Sequence, residues 1–207
     1  LGSVYGAGPA GSPQLYDTDG KHLLLRVNTN KILDLPRDSS GTAYVGDPRN
    51  DENMIIAQMQ MAFIMLHNRF LDNEAAGDFA RAQQLTQWHF QWVIVHDYLP
   101  HVVGQALVDS LVVADGSQVR AATRFYKPGN PNRPMMPIEY SAGAYRWGHS
   151  GIRPEYEMHD FVQVGHNPAV LPIFDSNPDP KTARDLRGSR PLYDDATIDW
   201  NYFFEIP

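Results

Sequence analysis

The sequence predicts a mainly α-helical protein with long irregular loops and little β-structure. Apolar residues recur at steps of three and four between about residues 47 and 73, and again between about residues 79 and 103, which indicates two long helices. Glycine and proline contribute 16 residues each to a chain of 207, a little above the usual share, which indicates long connections between the helices. The length fits a single domain or a large piece of one.

The first 47 residues are expected to be loop with one short hairpin. Two apolar runs, at residues 23–27 and 31–35, flank an Asn-Thr-Asn turn. Residues 6–11 match the G-x-G-x-x-G pattern of dinucleotide-binding loops. Pro9 and Pro13 interrupt the helix that should follow, and no apolar strand precedes it, so we assign no nucleotide site there.

The first long helix is predicted to run from Asp47 to about Asn73. Asp47 is a typical side-chain cap, Pro48 suits the first helical position, and Gly77 suits the end. Because apolar residues occupy most faces, we expect this helix to be buried nearly all round. One face carries a stripe at helical spacing, formed by Glu52, Ile56, Met59, Phe63, Leu66 and Phe70.

Arg49 and Glu52 stand three residues apart in the first turn of that predicted helix. One interpretation is structural, since an acid in a first turn complements the helix dipole and an i,i+3 ion pair adds a little stability. The other is functional. A carboxylate at the head of an apolar stripe must be paired, neutral or chemically used.

Further helices are expected downstream. The second long helix is predicted from about Phe79 to Val103, with Leu85, Trp88, Trp92, Val95 and Leu99 facing inward and Pro100 bending or ending it. Shorter helices are predicted at residues 116–123, 138–148 and 194–204, with a loop rich in Pro, Asn and Gly at residues 128–137.

Two further polar clusters could carry chemistry. Arg146 and His149 share a face of the predicted 138–148 helix region, and Gly148 and Gly151 leave little bulk around the imidazole, as close approach of a flat cofactor requires. A lone histidine near a helix end is also often structural. His67-Asn68-Arg69 is either a polar site or, as we favour, a network that ties the helix end to neighbouring backbone.

Composition excludes several classes of protein. Hydrophobic residues make up 43% and charged residues 20%, an ordinary globular mixture. Seventeen basic against 24 acidic residues give a net charge of −7, which argues against a nucleic-acid partner. The lack of cysteine removes disulfides, thiolate metal sites and thiol catalysis. The most apolar run, residues 54–66, is too short for a membrane span.

One group of possible metal ligands lies close together in the sequence, namely Glu155, Glu157 and His159. These residues fit a solvated loop better than a metal cluster, because neighbours in sequence need not converge on one ion.

Five short motifs, in order along the chain, resemble the animal-type haem peroxidase superfamily. Residues 3–6 read Ser-Val-Tyr-Gly, residues 46–52 read Gly-Asp-Pro-Arg-Asn-Asp-Glu, residues 67–69 read His-Asn-Arg, residues 97–100 read Asp-Tyr-Leu-Pro, and residues 145–149 read Tyr-Arg-Trp-Gly-His. Each motif is weak alone, but their order over about residues 1–160 is specific, and Ile198-Asp199-Trp200 adds to it. Because it has no cysteine, the chain resembles the bacterial members of the superfamily more than the disulfide-rich animal members.

The resemblance implies a haem-dependent peroxidase that reduces hydrogen peroxide and oxidises a small donor such as a halide, thiocyanate or a phenol. By this resemblance, His149 matches the proximal ligand of the haem b iron, and Arg49 matches the distal arginine that assists peroxide cleavage. Glu52 matches the carboxylate that can form an ester with haem, and Arg146 matches a position near the propionates.

The same resemblance indicates that residues 1–207 form the central part of one catalytic domain. The family's distal histidine and calcium-binding loop would lie upstream, and the asparagine that accepts from the proximal histidine would lie downstream. We therefore expect the rest of the parent polypeptide as a partner, weak haem binding by the isolated chain, an extracellular or cell-surface location, and a role in the response to oxidative stress.

Two alternatives stay open. A fatty-acid dioxygenase or cyclooxygenase of the same superfamily carries a radical-forming tyrosine three residues before the proximal histidine. Here Arg146 holds that position and Tyr145 stands one residue earlier, which turns its side chain by about 100° on a helix; an alignment that treats Gly148 as an insertion would restore the register. The second alternative is a haem-free structural or binding module.

Overall fold

The computed structural model describes residues 1–115, 118–123, 125–127, 129–130, 134–159, 170–177, 179 and 182–203. Over these residues the chain is mainly helical, with three small two-stranded antiparallel sheets, as the sequence predicts. The chain divides into two compact units. The first comprises Leu1–Gln87 with Arg153–Pro207, and the second comprises Trp88–Ile152.

The first unit is built around one long helix. The predicted hairpin near its start is confirmed, because β1 and β2 pair with Val27 opposite Leu33. Between the hairpin and the long helix lies a short 3₁₀ helix, Pro48–Asp51. The α-helices and strands of this unit are α1 Gly2–Tyr5, α2 Gly8–Gly11, β1 Arg26–Val27, β2 Leu33–Asp34, α3 Met54–Asp72, the start of α4 Phe79–Val93, β5 Glu155–Glu157, β6 Val170–Pro172 and α8 Trp200–Phe203. A further 3₁₀ helix, Pro13–Leu15, follows α2.

The long helix α3 begins later than predicted. Asp47 does act as a cap, but it accepts from the backbone N–H of Arg49 and starts only the 3₁₀ helix. Asn53 then caps α3 by accepting from the backbone N–H of Ile55 at 2.8 Å. The predicted helix over 47–53 is therefore wrong, and Glu52 lies outside α3 with an exposed side chain.

The buried face of α3 is also rotated from the predicted stripe. Ile56, Met59 and Met65 are exposed, so the helix is not buried all round. Small and polar residues occupy the interior instead, because Gln58 and Gln60 find hydrogen-bond partners there. The residues of α3 that are buried are Met54, Ala57, Gln58, Gln60, Met61, Ile64, His67, Phe70 and Leu71.

Three apolar clusters form the core of this unit. The first packs α1 and the hairpin region on the middle of α3, through residues such as Val4, Leu35 and Ile64. The second packs the start of α3 against residues 156–200 that the structure describes, through Met54, Met158 and Leu186. The third packs the end of α3 on α4, through Leu71 and Ala82.

The second unit begins within α4. A π-helical turn, Ile94–Tyr98, connects α4 directly to α5 Leu99–Val103, so the helical run ends where the sequence predicts. Pro100 sits in the first turn of α5, where its missing N–H is tolerated. Trp88 and Trp92 are exposed, which contradicts their predicted inward position.

The middle of the second unit corrects two predictions. After α6 Gln105–Leu111, strands β3 Val112–Asp115 and β4 Gln118–Ala121 form an antiparallel pair where a helix over 116–123 was predicted, since β-branched Val112 and Val113 favour cross-strand pairing. The predicted 138–148 helix divides into α7 Ile138–Ala142 and a 3₁₀ helix, Ala144–Gly151. The division falls at Gly143, where a Cβ atom would lie 2.8 Å from the Glu139 carbonyl oxygen.

The last predicted helix, residues 194–204, is reduced to two short pieces. Asp194–Ala196 forms a 3₁₀ turn and Trp200–Phe203 forms the single turn of α8, while residue 204 lies outside the described residues. None of the helices in the described part of the chain is both long and apolar enough to span a bilayer.

Candidate active site

Arg49 and Glu52 lie at the start and just after the end of the Pro48–Asp51 helix, a segment that we call the distal turn and define as residues 46–52. The Arg49 guanidinium forms a bidentate ion pair with Asp47, Nε to Oδ1 at 2.9 Å and Nη2 to Oδ2 at 2.6 Å. These hydrogen bonds lower the pKa of Asp47 to about 2. Arg49 and Glu52 are both exposed, so the argument that Glu52 heads a buried stripe is wrong.

A buried ionic cluster binds the distal turn through the Asp51 side chain. The Arg37 guanidinium binds the Asp51 carboxylate through two hydrogen bonds of 2.6 and 2.8 Å, and its Nε atom lies 3.3 Å from Asp34. All three side chains are nearly inaccessible. Buried charges persist only when they are paired in this way. The Arg37 cluster therefore fixes Asp51, the residue directly before Glu52.

A segment near the C-terminal end of the described chain forms backbone hydrogen bonds with the distal turn and the residues that follow it. This strap, residues 186–189, donates two backbone hydrogen bonds, from Gly188 to the Glu52 carbonyl and from Ser189 to the Asp51 carbonyl, each 2.9 Å. Its Leu186 carbonyl accepts from the N–H of Met54 at 2.8 Å. A Cβ atom on Gly188 would overlap the Asp51 carbonyl oxygen, so only glycine permits this approach.

The distal turn also contacts the Ser-Val-Tyr-Gly segment, so two of the sequence motifs meet in space. A Cβ atom on Gly46 would lie 2.7 Å from both the Gly6 nitrogen and the Ser3 carbonyl oxygen. Asn50 donates to the same Ser3 carbonyl and to the Gln60 side chain. The backbone of α1 therefore lies directly against the distal turn.

The His-Asn-Arg motif forms the internal network that we favoured. His67 is fully buried; its Nδ1 atom lies 3.0 Å from the Tyr5 hydroxyl and its Nε2 atom lies 3.2 Å from the Lys21 carbonyl. Asn68 both accepts from and donates to the backbone of Leu23, at 2.9 and 2.8 Å. These bonds attach the end of α3 to residues 21–23.

Arg146 and His149 lie on the Ala144–Gly151 helix of the second unit, and both are exposed. In a 3₁₀ helix residues three apart eclipse each other, so the predicted shared face is correct although the helix type differs. The His149 Nδ1 atom lies 2.9 Å from the Arg146 carbonyl oxygen. Because a carbonyl only accepts, Nδ1 carries the hydrogen and the lone pair of the neutral ring resides on Nε2.

The chemistry of this segment fits a haem. A neutral imidazole whose Nδ1–H is held by a backbone carbonyl is the usual form of a histidine ligand. The apolar side chains of Trp147 and Ile152, close to it along the chain, are also exposed.

The structure groups the predicted site residues as two pairs. Arg49 and Glu52 belong to the first unit and Arg146 and His149 belong to the second. Within the described residues there is no group of three or more His, Cys, Asp or Glu that could hold a metal, and Glu155 and Glu157 lie on β5. The supporting roles of Arg37, Asp51 and Gly188 were not predicted from the sequence, because their contacts join distant parts of the chain.

Comparison with known proteins identifies the family. A family model described as animal haem peroxidase matches residues 2–193, a range that contains all five motifs. Neither a curated protein nor a solved structure matches the chain significantly. Because this match covers nearly the whole chain, the chain belongs to the animal haem peroxidase family.

Proposed function

We propose that this chain forms part of a haem-dependent peroxidase that reduces hydrogen peroxide and oxidises a small donor, such as a halide, thiocyanate or a phenol. The family supports the oxidoreductase class. The observation that carries the assignment of the site is the hydrogen bond from His149 Nδ1 to the Arg146 carbonyl, because it directs the lone pair of the ring to Nε2.

Haem b, when bound, supplies the redox chemistry of peroxide reduction and donor oxidation. In this proposal His149 would hold the haem iron through its Nε2 atom. The Arg146 carbonyl, 2.9 Å from Nδ1, keeps the tautomer fixed and raises the basicity of the ligand. Arg146 shares the face of His149 on the 3₁₀ helix, which supports a role for its guanidinium near the propionates.

Arg49 stabilises the negative charge that develops on the leaving oxygen of peroxide, as a fixed guanidinium can. Asp47 engages two of its five N–H groups, Nε and one on Nη2, and so sets the direction of the side chain. Glu52 offers an exposed carboxylate two residues before α3, which is compatible with an ester to haem. A calcium ion, an extracellular location and a role in oxidative stress are part of the proposal by family membership.

Replacement of the ligand tests the assignment. We expect His149→Ala in the full-length protein to lose axial ligation, with a shifted and weakened haem absorption band, and added imidazole to restore the band by occupying the vacated position. His101→Ala is a matched control, because His101 is also exposed in the second unit and its Nδ1 also lies against a backbone carbonyl, that of Asp97, at 2.7 Å. An unchanged haem spectrum in His149→Ala would refute the ligand assignment.

A further inference from the structure

Tyr5 and His67 form a buried hydrogen-bonded pair that the proposed haem chemistry leaves unused. Tyr5 is 3% exposed and His67 is 0% exposed. The Lys21 carbonyl, 3.2 Å from His67 Nε2, can only accept, so Nε2 carries the hydrogen of the neutral ring. Nδ1 is then the acceptor, and the Tyr5 hydroxyl donates to it across 3.0 Å.

Aromatic side chains enclose the pair. The Tyr5 and His67 rings meet edge to face at 5.2 Å, and the Phe79 ring contacts both, at 5.9 Å and 5.2 Å. Burial raises the pKa of Tyr5, partly offset by the Thr86 hydroxyl, and burial lowers the pKa of His67. At neutral pH the pair therefore rests as a phenol and a neutral imidazole, with water excluded.

The backbone next to Tyr5 contacts the distal turn, and Tyr5 also lines a surface cleft. Gly6, the next residue after Tyr5, packs its backbone against Gly46 of the distal turn. Tyr5 lines a cleft of about 450 Å³ together with Gly6, Phe79, Gln83 and Gln87. That volume is sufficient for a small aromatic molecule, since a cavity of about 150 Å³ holds benzene.

We propose that Tyr5 is an oxidisable relay residue of the enzyme, an inference that rests on the proposed peroxidase function. Tyr5 loses one electron to the peroxide-oxidised haem while its hydroxyl proton moves to Nδ1 of His67, which leaves a neutral tyrosyl radical and an imidazolium. A small phenolic donor in the cleft then returns one electron to Tyr5, and the proton returns from His67 to the phenolic oxygen. The donor is oxidised by one electron and releases its own proton to water.

The hydrogen bonds of the pair suit both states. In the oxidised state Nδ1–H donates to the Tyr5 oxygen and Nε2–H still donates to the Lys21 carbonyl, so no buried polar group loses its partner. The low proton affinity of the buried imidazole favours return of the proton when Tyr5 is reduced. Tyr16 lacks this property, because its hydroxyl donates to the Tyr5 carbonyl oxygen, which cannot take the proton.

Electron paramagnetic resonance tests the relay. The full-length, haem-loaded protein is mixed with one equivalent of hydrogen peroxide in the absence of donor and freeze-quenched, and the haem absorption is recorded on the same sample. We expect a tyrosyl signal that Tyr5→Phe abolishes and Tyr16→Phe, the matched control in the same cluster, retains. In His67→Gln, whose side chain can accept a hydrogen bond but is not a base, the signal should form about a hundredfold more slowly.

Two further experiments test whether the donor binds in the cleft and which nitrogen of His67 carries the hydrogen. Guaiacol, as the phenol probe, should quench the Tyr5 signal, and Gln83→Trp, which fills the cleft, should slow this quenching about tenfold or more, by excluding the probe. Nitrogen NMR of the haem-free wild-type protein should show His67 protonated at Nε2. The opposite tautomer would overturn the relay without any haem chemistry.

Failure of the relay and failure of the proposed function give different results. If peroxide leaves the haem absorption unchanged, the proposed function is wrong and the relay with it. If the haem is oxidised and the tyrosyl signal persists in Tyr5→Phe, only the relay is wrong. If Gln83→Trp leaves the quenching rate unaltered, the cleft is not where the donor binds.

Discussion

In each of two histidines, His149 and His67, a single backbone carbonyl sets the tautomer of the neutral ring. The Arg146 carbonyl binds Nδ1–H of His149 and directs the lone pair to Nε2, whereas the Lys21 carbonyl binds Nε2–H of His67 and directs the lone pair to Nδ1. The first bond is local in sequence and the second joins residues 46 positions apart. The sequence motifs locate both rings, but the tautomers follow from hydrogen-bond partners that only the fold supplies.

The buried state of His67 predicts a dependence of stability on pH. Its pKa in the folded protein lies below the ordinary value of 6.5, so below pH 6.5 the unfolded chain binds a proton that the native chain does not. The free energy of unfolding should therefore fall as the pH decreases from 6.5, by up to about 1.4 kcal/mol per pH unit. Urea denaturation between pH 5 and 7.5 should show this slope in the wild type and a shallower slope in His67→Gln.

His22 provides a control of opposite sign. Its hydrogen bonds to Asp19 and Asp72 raise its pKa above 6.5. A raised histidine pKa gives stability that is present below pH 6.5 and is lost as the pH rises through the folded value. The difference in the free energy of unfolding between wild type and His22→Asn should therefore shrink above pH 6.5. A His67→Gln protein that keeps the full wild-type dependence of stability on pH would refute the assignment to His67.

At the scale of elements, the sequence predicts the long helices better than their limits and faces. Local signals identify α3 because the caps and the apolar spacing lie within the segment itself. Its start moves from Asp47 to Asn53 because the carbonyls of Asp51 and Glu52 accept from the strap, which lies 138 and 136 residues away along the chain. The exposed faces of Trp88 and Trp92 are likewise set by tertiary packing, which periodicity does not reveal.

The strap gives a prediction for one residue. Gly188→Ala should lower the free energy of unfolding by about 3 kcal/mol, because the new Cβ atom would displace the Asp51 backbone and the hydrogen bonds around it. The change should also weaken haem binding, since Arg49 and Glu52 lie on the backbone that moves.

Gly2→Ala serves as the control for this prediction, because a Cβ atom there meets nothing within 4 Å and Gly2 belongs to the same unit. Denaturation curves of both variants measure the effect. Equal stabilities for Gly188→Ala and Gly2→Ala would show that the strap does not hold the distal turn as closely as the structure describes.

At the scale of the whole molecule, the order of five local motifs is enough to predict the family, which the match over residues 2–193 confirms. The motifs survive as sequence signals because each one is a contiguous segment. The contacts that arrange the distal turn do not, since Arg37, Asp51 and Gly188 come from three separate segments of chain. The mainly α-helical class was therefore predictable, and the residues that support the candidate site were not.

The geometry of the Ala144–Gly151 helix supports the proposed peroxidase over the radical oxygenase alternative. With three residues per turn, Arg146 eclipses His149 and Tyr145 is turned away by about 120°, where it is exposed and its ring lies 5.9 Å from that of Tyr140. A tyrosine in this position is not directed to the same side as His149, the haem ligand that we propose. The full-length, haem-loaded protein should therefore oxidise guaiacol with hydrogen peroxide and should not take up oxygen with linoleic acid.

Tyr145→Phe provides the decisive comparison. We expect guaiacol turnover to be unchanged, because the substitution removes one exposed hydroxyl that contacts no proposed site residue, and surface changes of this kind have little effect. Stopped-flow absorption measures the turnover and an oxygen electrode measures the uptake. An oxygenase that uses this tyrosine as its radical would instead show fatty-acid-dependent oxygen uptake in the wild type and none in Tyr145→Phe. That result would reassign the chain, within the same family, to the oxygenase alternative.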